Sequence, residues 1–151
     1  MKITASMAIN LKANLENFSA KQVPFALTIT KNLKKVEKLV EDFDEKRQNL
    51  INEYAVLDES GNFIPETKDD GTKYENPQTL NEIEVSDRNE LVKRIGELET
   101  AEYDVEFEQI DTEKLYYNSK AGEKMKVLDF IDTNLEPALI MYLNSFEIIK
   151  L

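Results

Sequence analysis

The feature that most constrains the fold is a long amphipathic segment over residues 24–55. Its apolar residues recur mostly at three- and four-residue steps, the periodicity of one face of an α-helix. Pro24 suits the first turn of such a helix, because the N–H group that proline lacks would have no partner there. A helix of about 30 residues is about 45 Å long. We therefore expect this helix to form the spine of the protein.

A second regular pattern lies between Glu97 and Glu113, where eight carboxylates occur without a single Lys or Arg. In its middle, acidic and apolar residues alternate strictly over residues 102–108. Such alternation indicates a half-buried β-strand. The apolar set, which should face a core, is Tyr103, Val105 and Phe107, and the acidic set, which should face solvent, is Glu102, Asp104, Glu106 and Glu108.

Two further segments precede this strand. Residues 56–82 contain two Gly, two Pro and several Asp and Asn, so we interpret them as a turn-rich hairpin or lid. A second helix should begin near Ser86, with Ser86 as its N-cap and Asp87 in its first turn. This helix should lead directly into the acidic strand.

The two ends of the chain are similar at an offset of 124 residues, where residues 1–18 and 125–142 share five identities. Chance can produce that number in a chain rich in Leu and Lys, so an internal repeat is a hypothesis. If it is real, each end forms a short strand followed by a helix, and the two strands could lie side by side. The candidate helix starts are Ala5 or Ser6 in the first copy and Asp129 or Asp132 in the second.

Together these elements predict one α+β domain over residues 1–151. A long helix in the N-terminal half and two or three shorter helices should pack on a small mixed or antiparallel sheet. The strands of that sheet would be the N-terminal strand, residues 102–110 and a strand near 125–129. We expect the apolar end of the chain, within the strand and helix over residues 125–151, to dock in the core or to form a subunit interface, so that self-association is possible.

Composition restricts the chemistry, because the chain contains no His and no Cys. The commonest general base, the commonest metal ligands and the best soft nucleophile are therefore missing. We expect no catalytic residue, no metal site and no cofactor. The acids around Gly61 and Gly71 do not form a calcium loop, because Pro65 interrupts the ligand frame and its third position lacks an acid.

The net charge of the chain also restricts the classes of partner that it can bind. The chain has 30 acidic and 19 basic residues and a net charge of -11, which repels nucleic acid and anionic membranes and favours basic partners. No apolar run approaches the roughly 18 residues of a membrane span. We expect a protein partner, with no direct binding to nucleic acid or membrane.

Two surfaces could bind that partner or a ligand. The four outward carboxylates would stand about 6.6 Å apart, near twice the axial rise per nucleotide of a DNA strand, so they could mimic nucleic acid; an ordinary solvated strand face is the alternative. A basic cluster on the long helix could bind a phosphate or an acidic partner, or simply form solvent-exposed ion pairs. Its members are Lys31, Asn32, Lys34, Lys35 and Lys38.

Several motifs occur in a characteristic order along the chain. A proline, Pro24, precedes a long helix with a Lys-Asn step at residues 31–32, and Tyr54 is followed by an Asp-Glu-x-Gly turn at residues 58–61. A Glu-Leu-x-x-x-Glu pattern then leads into the acidic strand, and a Leu-Glu-Pro step ends at Pro137. This order resembles a widespread family of small uncharacterised proteins encoded by tailed phages and prophages. The resemblance implies a phage or mobile-element origin and a non-enzymatic role, and it assigns no functional residue.

We therefore expect a phage-encoded binding protein in the host cytoplasm rather than an enzyme. The first hypothesis is an inhibitor of a host defence system that acts as an acidic nucleic-acid mimic or as a sink for a phosphorylated signal. The alternative is a virion-assembly or structural accessory protein that binds through the apolar C-terminal stretch. Its partner would accordingly be a basic host defence protein or a phage structural protein.

Overall fold

The computed structural model describes residues 1–20, 26–110, 117–118, 124–125 and 136–149. The elements along the chain are β1 (Lys2–Thr4), α1 (Ala5–Ala20), α2 (Ala26–Tyr54), a 3-10 turn (Leu80–Glu82), α3 (Arg88–Thr100), β2 (Glu102–Asp104), β3 (Tyr117–Asn118), β4 (Lys124–Met125) and α4 (Pro137–Ser145). These helices and short antiparallel strands confirm the predicted α+β class.

The chain divides into two compact units. Unit 1 combines Met1–Val40 with Glu102–Leu151, and unit 2 is Glu41–Ala101. Unit 2 is therefore an insertion in the sequence of unit 1, and it includes the turn-rich segment over residues 56–82. Whether the two units act as the single predicted domain stays a prediction.

Helix α2 is the longest element, with 29 residues, and it confirms the helix predicted over residues 24–55. Ile29 and Val36 are fully buried in unit 1, while Phe43 and Ile51 are at least nine-tenths buried in unit 2. Their spacing of seven or eight residues places them on one face of the helix. The first half of α2 thus contributes to the core of unit 1 and the second half to the core of unit 2.

The core of unit 1 contains residues from both ends of the chain. Helix α1 begins at Ala5, one of the two predicted starts, and Thr4 Oγ1 accepts a hydrogen bond from the Met7 N–H at 3.3 Å. Helix α4 begins at Pro137; the predicted starts at Asp129 and Asp132 lie outside the described residues. The fully buried side chains from the two ends are Ile3, Leu11, Leu15, Leu143, Ile148 and Ile149. The apolar C-terminal stretch therefore docks in the core, which is one of the two predicted alternatives, the other being a subunit interface.

The described strands form two antiparallel pairs. β1 runs antiparallel to β2, with Ile3 opposite Tyr103, and β4 pairs with β3, with Met125 opposite Tyr117. Of the strand predicted near 125–129, only residue 125 is described, and it pairs with its near neighbour in sequence, for which the loop-closure entropy is small. Residues 126–128, which correspond to β1 in the proposed terminal repeat, lie outside the described residues, so the repeat stays a prediction.

Unit 2 contains a closed arrangement of three short segments, residues 54–57, 63–66 and 82–86, which we call the bridge ring. Each segment pairs antiparallel with both of the others. Three backbone hydrogen bonds close the ring: the Val56 N–H donates to the Glu84 carbonyl at 3.0 Å, the Glu84 N–H to the Ile64 carbonyl at 2.8 Å, and the Ile64 N–H to the Val56 carbonyl at 3.3 Å. The turn-rich segment is thus an ordered part of unit 2 with its own backbone pairing.

Helix α3 begins one residue later than predicted. Asp87 is its N-cap, and the Asp87 carboxylate accepts a hydrogen bond from the Glu90 N–H at 3.1 Å. Ser86, the predicted cap, belongs to the bridge ring instead, because its N–H donates to the Tyr54 carbonyl at 2.8 Å. On its inner face α3 places Leu91 and Ile95 against Ile51 and Ile83 in the core of unit 2.

Substitution of two glycines of unit 2 by alanine should have opposite effects on the free energy of unfolding. Gly61 has φ +81°, in the left-handed region, whereas Gly96 lies within α3. We expect Gly61→Ala to lower the free energy of unfolding by about 1 kcal/mol, and Gly96→Ala to raise it by about 0.5–1 kcal/mol. The two variants can be compared by urea denaturation followed by circular dichroism. Equal shifts of the same sign would contradict the backbone assignment.

Candidate functional site

The predicted alternation is confirmed over residues 102–107, but the strand predicted over residues 102–110 is shorter, because β2 ends at Asp104. The side chains of Tyr103, Val105 and Phe107 are half-buried, and Val105 and Phe107 pack against the core of unit 1. The acidic residues before each of these three are exposed, while Glu108 is half-buried. The ladder with β1 ends at Asp104, although the Val105 N–H still donates to the Met1 carbonyl at 2.8 Å.

Asn32 on α2 holds the segment that follows β2. It is a fully buried polar residue, and its Nδ2 donates to the Glu108 carbonyl while its Oδ1 accepts from the Glu108 N–H, both at 2.7 Å. These two bonds satisfy the backbone of Glu108 in the way that a neighbouring strand would. Asn32, predicted as a ligand-binding group, is therefore placed as a structural residue whose amide nitrogen and oxygen are both engaged.

Two lysines of the predicted basic cluster extend this contact. The Lys35 Nζ donates to the Glu106 carbonyl at 2.6 Å, and the Lys31 Nζ lies 3.3 Å from the Glu108 carboxylate. We call Lys31, Asn32 and Lys35 the α2 clamp. Lys34 and Lys38 are exposed and form no ion pair within the described part of the chain. The basic cluster is thus divided between the clamp and two solvent-exposed lysines.

The four carboxylates predicted to face solvent, which we call the acidic row, also fall into paired and unpaired groups. Glu102 lies 3.7 Å from the Lys2 Nζ, and Glu108 is paired with Lys31. Among the described residues, no cation lies within 4 Å of the carboxylates of Asp104 or Glu106. The structure therefore brings the two predicted surfaces of unit 1 into contact, where Lys31 pairs with the Glu108 carboxylate and Lys35 binds the Glu106 carbonyl.

The charge of the protein is distributed very unequally between the two units. Residues 41–101 contain 17 acidic and 7 basic side chains, so unit 2 carries -10 of the net charge of -11. Unit 1, with 13 acidic and 12 basic side chains, is close to neutral. The total charge was evident in the sequence, but its distribution depends on the unit boundaries after Val40 and Ala101.

The charge of unit 2 is densest on α2. Glu41, Asp42, Asp44 and Glu45, which we call the α2 acidic patch, are all exposed. Phe43 between them is only 4% exposed, so it orients this turn of the helix with the carboxylates toward solvent. Within the residues that the structure describes, none of the four has a cation within 4 Å. Sequence reasoning focused on the strand and missed this patch, although four acids in five residues were visible.

Comparison of the chain with protein-family models, with curated proteins and with solved structures returned no match. The resemblance to the phage family therefore stays a prediction.

Unit 2 also contains an open groove of about 510 Å³ between α2 and α3. Leu50, Leu98 and Arg94 are among the residues that line it. The Arg94 Nη1 donates to the Tyr54 hydroxyl at 3.2 Å and to the Glu53 carboxylate at 2.9 Å, and the bonds to Tyr54 and Glu53 raise the pKa of Arg94. Glu53 offsets the charge of this guanidinium and engages its Nη1 together with Tyr54, which makes it a weaker site for an anionic ligand.

Two observations concern metals and membranes. Across the described residues, no group of three or more His, Cys, Asp or Glu side chains is arranged to hold a metal ion. None of the helices in this part of the chain is both long and apolar enough to cross a membrane.

Proposed function

We propose that this protein is a non-enzymatic, phage-encoded inhibitor that binds a basic protein of a host defence system. The observation that carries the proposal is the concentration of net charge in unit 2. A compact body with a charge of -10 attracts cationic surfaces and accelerates their encounter, while it repels nucleic acid. The phage origin and the non-enzymatic role are what the family resemblance implies, and the lack of His and Cys also supports the non-enzymatic role. The host defence system is our hypothesis for the basic partner of a phage-encoded binding protein.

Unit 2 is better suited to this contact than the acidic row of unit 1. In that row Lys2 and Lys31 offset two of the four carboxylates, whereas the α2 acidic patch presents four without a described cation. A partner that binds by charge would therefore gain more from unit 2. Nucleic-acid mimicry, if it occurs, would then come from the helix surface rather than from the strand.

A sink for a phosphorylated signal has less support. A phosphate at the basic cluster would compete with Glu108 for Lys31 and with the Glu106 carbonyl for Lys35. Binding would therefore disrupt contacts that hold residues 106–108 on α2. Only Lys34 and Lys38 would be available without that loss.

The proposal predicts which charge reversals weaken binding. We expect Glu41→Lys with Glu45→Lys to reduce the affinity for a basic host nuclease by at least about tenfold, because two repulsive charges replace two attractive ones. Asp104→Lys with Glu106→Lys changes the net charge equally and should have a smaller effect, below about threefold. The dissociation constants can be measured by biolayer interferometry at 50 and 200 mM NaCl, with circular dichroism to show that both variants are folded.

The salt dependence is the second part of this test. Binding through the acidic surface should weaken steeply between the two salt concentrations, because exposed charges are screened over about 10 Å. An affinity that does not change with salt would overturn the proposal. If Asp104→Lys with Glu106→Lys reduced the affinity more than Glu41→Lys with Glu45→Lys, the contact would lie on unit 1.

A further inference from the structure

Unit 2 contains two hairpins built to the same plan, ten residues apart. In hairpin 1, residues 57–66, the Asp58 N–H donates to the Asn62 carbonyl at 2.9 Å and the Gly61 N–H to the Asp58 carbonyl at 3.0 Å. In hairpin 2, residues 67–76, the Lys68 N–H donates to the Thr72 carbonyl at 2.6 Å and the Gly71 N–H to the Lys68 carbonyl at 3.0 Å. In both, the glycine has a positive φ, as a type I turn followed by a left-handed residue requires.

Both turns are also held by an aspartate side chain. Asp58 Oδ1 accepts from the N–H groups of Ser60 and Asn62, at 2.8 and 2.9 Å. Asp70 Oδ1 accepts from the hydroxyl and the N–H of Thr72, at 2.6 and 2.9 Å, and these bonds lower the pKa of Asp70. The two hairpins are therefore ordered and similar in backbone structure.

The cross-strand pair at the base of the turn differs between them. Hairpin 1 has Leu57 opposite Phe63, which are 48% and 40% exposed, whereas hairpin 2 has Thr67 opposite Lys73 at the equivalent positions. Hairpin 2 shows that this backbone forms with a polar pair, so the turn does not require apolar residues at these two places. Leu57 and Phe63 also lie outside the core cluster of unit 2. Their exposure is therefore not explained by the packing of unit 2.

We propose that Leu57 and Phe63 are the anchor residues of a docking surface on hairpin 1 for a basic protein with an apolar pocket. The inference rests on the proposed function, because it adds to the charged α2 acidic patch an apolar contact through which unit 2 would recognise the same basic partner. Aromatic residues such as Phe63 are enriched in the cores of protein interfaces, and the rim around such a core is polar, as Asp58 and Glu59 are beside this pair.

The charges around Leu57 and Phe63 indicate which kind of partner would bind this surface. Asp58 and Glu59 follow Leu57 directly on the turn, so a pocket that receives the apolar pair should be bordered by Lys or Arg. A second copy of this chain would bring two bodies of charge -10 together, and nucleic acid would be repelled in the same way. The occupant is therefore a protein surface that is both basic and apolar.

The test uses two synthetic twelve-residue peptides with six lysines each. The remaining positions are Leu and Trp in one peptide and Ser and Gln in the other, so that the two differ in apolar surface and not in charge. We expect the protein to bind the apolar peptide about tenfold more tightly in fluorescence anisotropy. This preference should disappear in Leu57→Thr with Phe63→Thr, which makes hairpin 1 polar like hairpin 2 and leaves its charge unchanged.

Val92 supplies a matched control, because it is 53% exposed on α3 of the same unit. Val92→Thr removes apolar surface elsewhere and should retain the preference. The docking inference is overturned if the double variant keeps the preference or if Val92→Thr loses it equally, and in both cases salt-dependent binding of the peptides would leave the proposed function intact. Failure of both peptides to bind at 50 mM NaCl would contradict both proposals. The single variant Phe63→Thr gives the same test if the double variant does not fold.

Discussion

Replacing Asn32 by alanine is expected to lower the free energy of unfolding by about 3 kcal/mol. The side chain is fully buried and makes two 2.7 Å hydrogen bonds, one to each backbone polar group of Glu108. Alanine would leave a backbone donor and a backbone acceptor without partners at a partly buried place, and each such loss costs about 1–3 kcal/mol. Urea denaturation followed by circular dichroism measures the change.

Asn17→Ala is the control for this substitution, because Asn17 is an exposed asparagine of α1 in the same unit. Its effect should stay within about 0.5 kcal/mol. Amide hydrogen exchange provides a second measurement: the Glu108 N–H should lose protection in the Asn32 variant, since Asn32 Oδ1 is the acceptor of that bond. A loss of stability without faster exchange at Glu108 would show that Asn32 acts in some other way.

Leu143→Ala is expected to have a similarly large effect, about 3–4 kcal/mol. Leu143 on α4 is fully buried in the core of unit 1, so truncation removes buried apolar surface and leaves a cavity. Met141 on the same helix is 70% exposed. Met141→Ala should therefore change the free energy of unfolding by less than about 0.5 kcal/mol.

The difference between these two variants tests whether the C-terminal stretch is part of the core. If Leu143 instead contacted a partner in an assembly, its truncation would weaken association more than folding. Equal effects of the two substitutions on urea denaturation would contradict the placement of α4. The two proteins can also be compared by size-exclusion chromatography, which should show the same elution volume.

Local patterns made part of this fold predictable. The apolar period of α2 and the alternation of residues 102–108 depend on neighbouring residues, so the sequence alone indicates which side chains turn inward. The N-cap of α3 was misplaced by one residue because both Ser86 and Asp87 are good caps, and only the pairing of the Ser86 N–H with Tyr54 decides between them.

The contacts between α2 and residues 106–108 join residues that are distant in sequence, so no local sequence pattern predicts them. Asn32 binds a residue 76 positions away, and the same contact turns the predicted basic and acidic surfaces into partners of each other. The repeated hairpin did have a sequence signal, since Gly61 and Gly71 are ten residues apart and each closes a polar turn. That spacing could have been noticed, whereas the bridge ring could not, because its segments are too short to show a period.

The bridge ring also limits how unit 2 can be recognised through its main chain. The hydrogen bonds of the ring all use backbone groups of even-numbered residues, such as Val56, Ile64 and Glu84. The N–H and C=O groups of one residue point to the same side of an extended strand, so this side of each segment faces the other two segments. An open sheet edge is what allows a foreign peptide to be added as an extra strand, and it also promotes aggregation. The inner side of the three segments is closed to such an addition, because its N–H and C=O groups are paired within the ring.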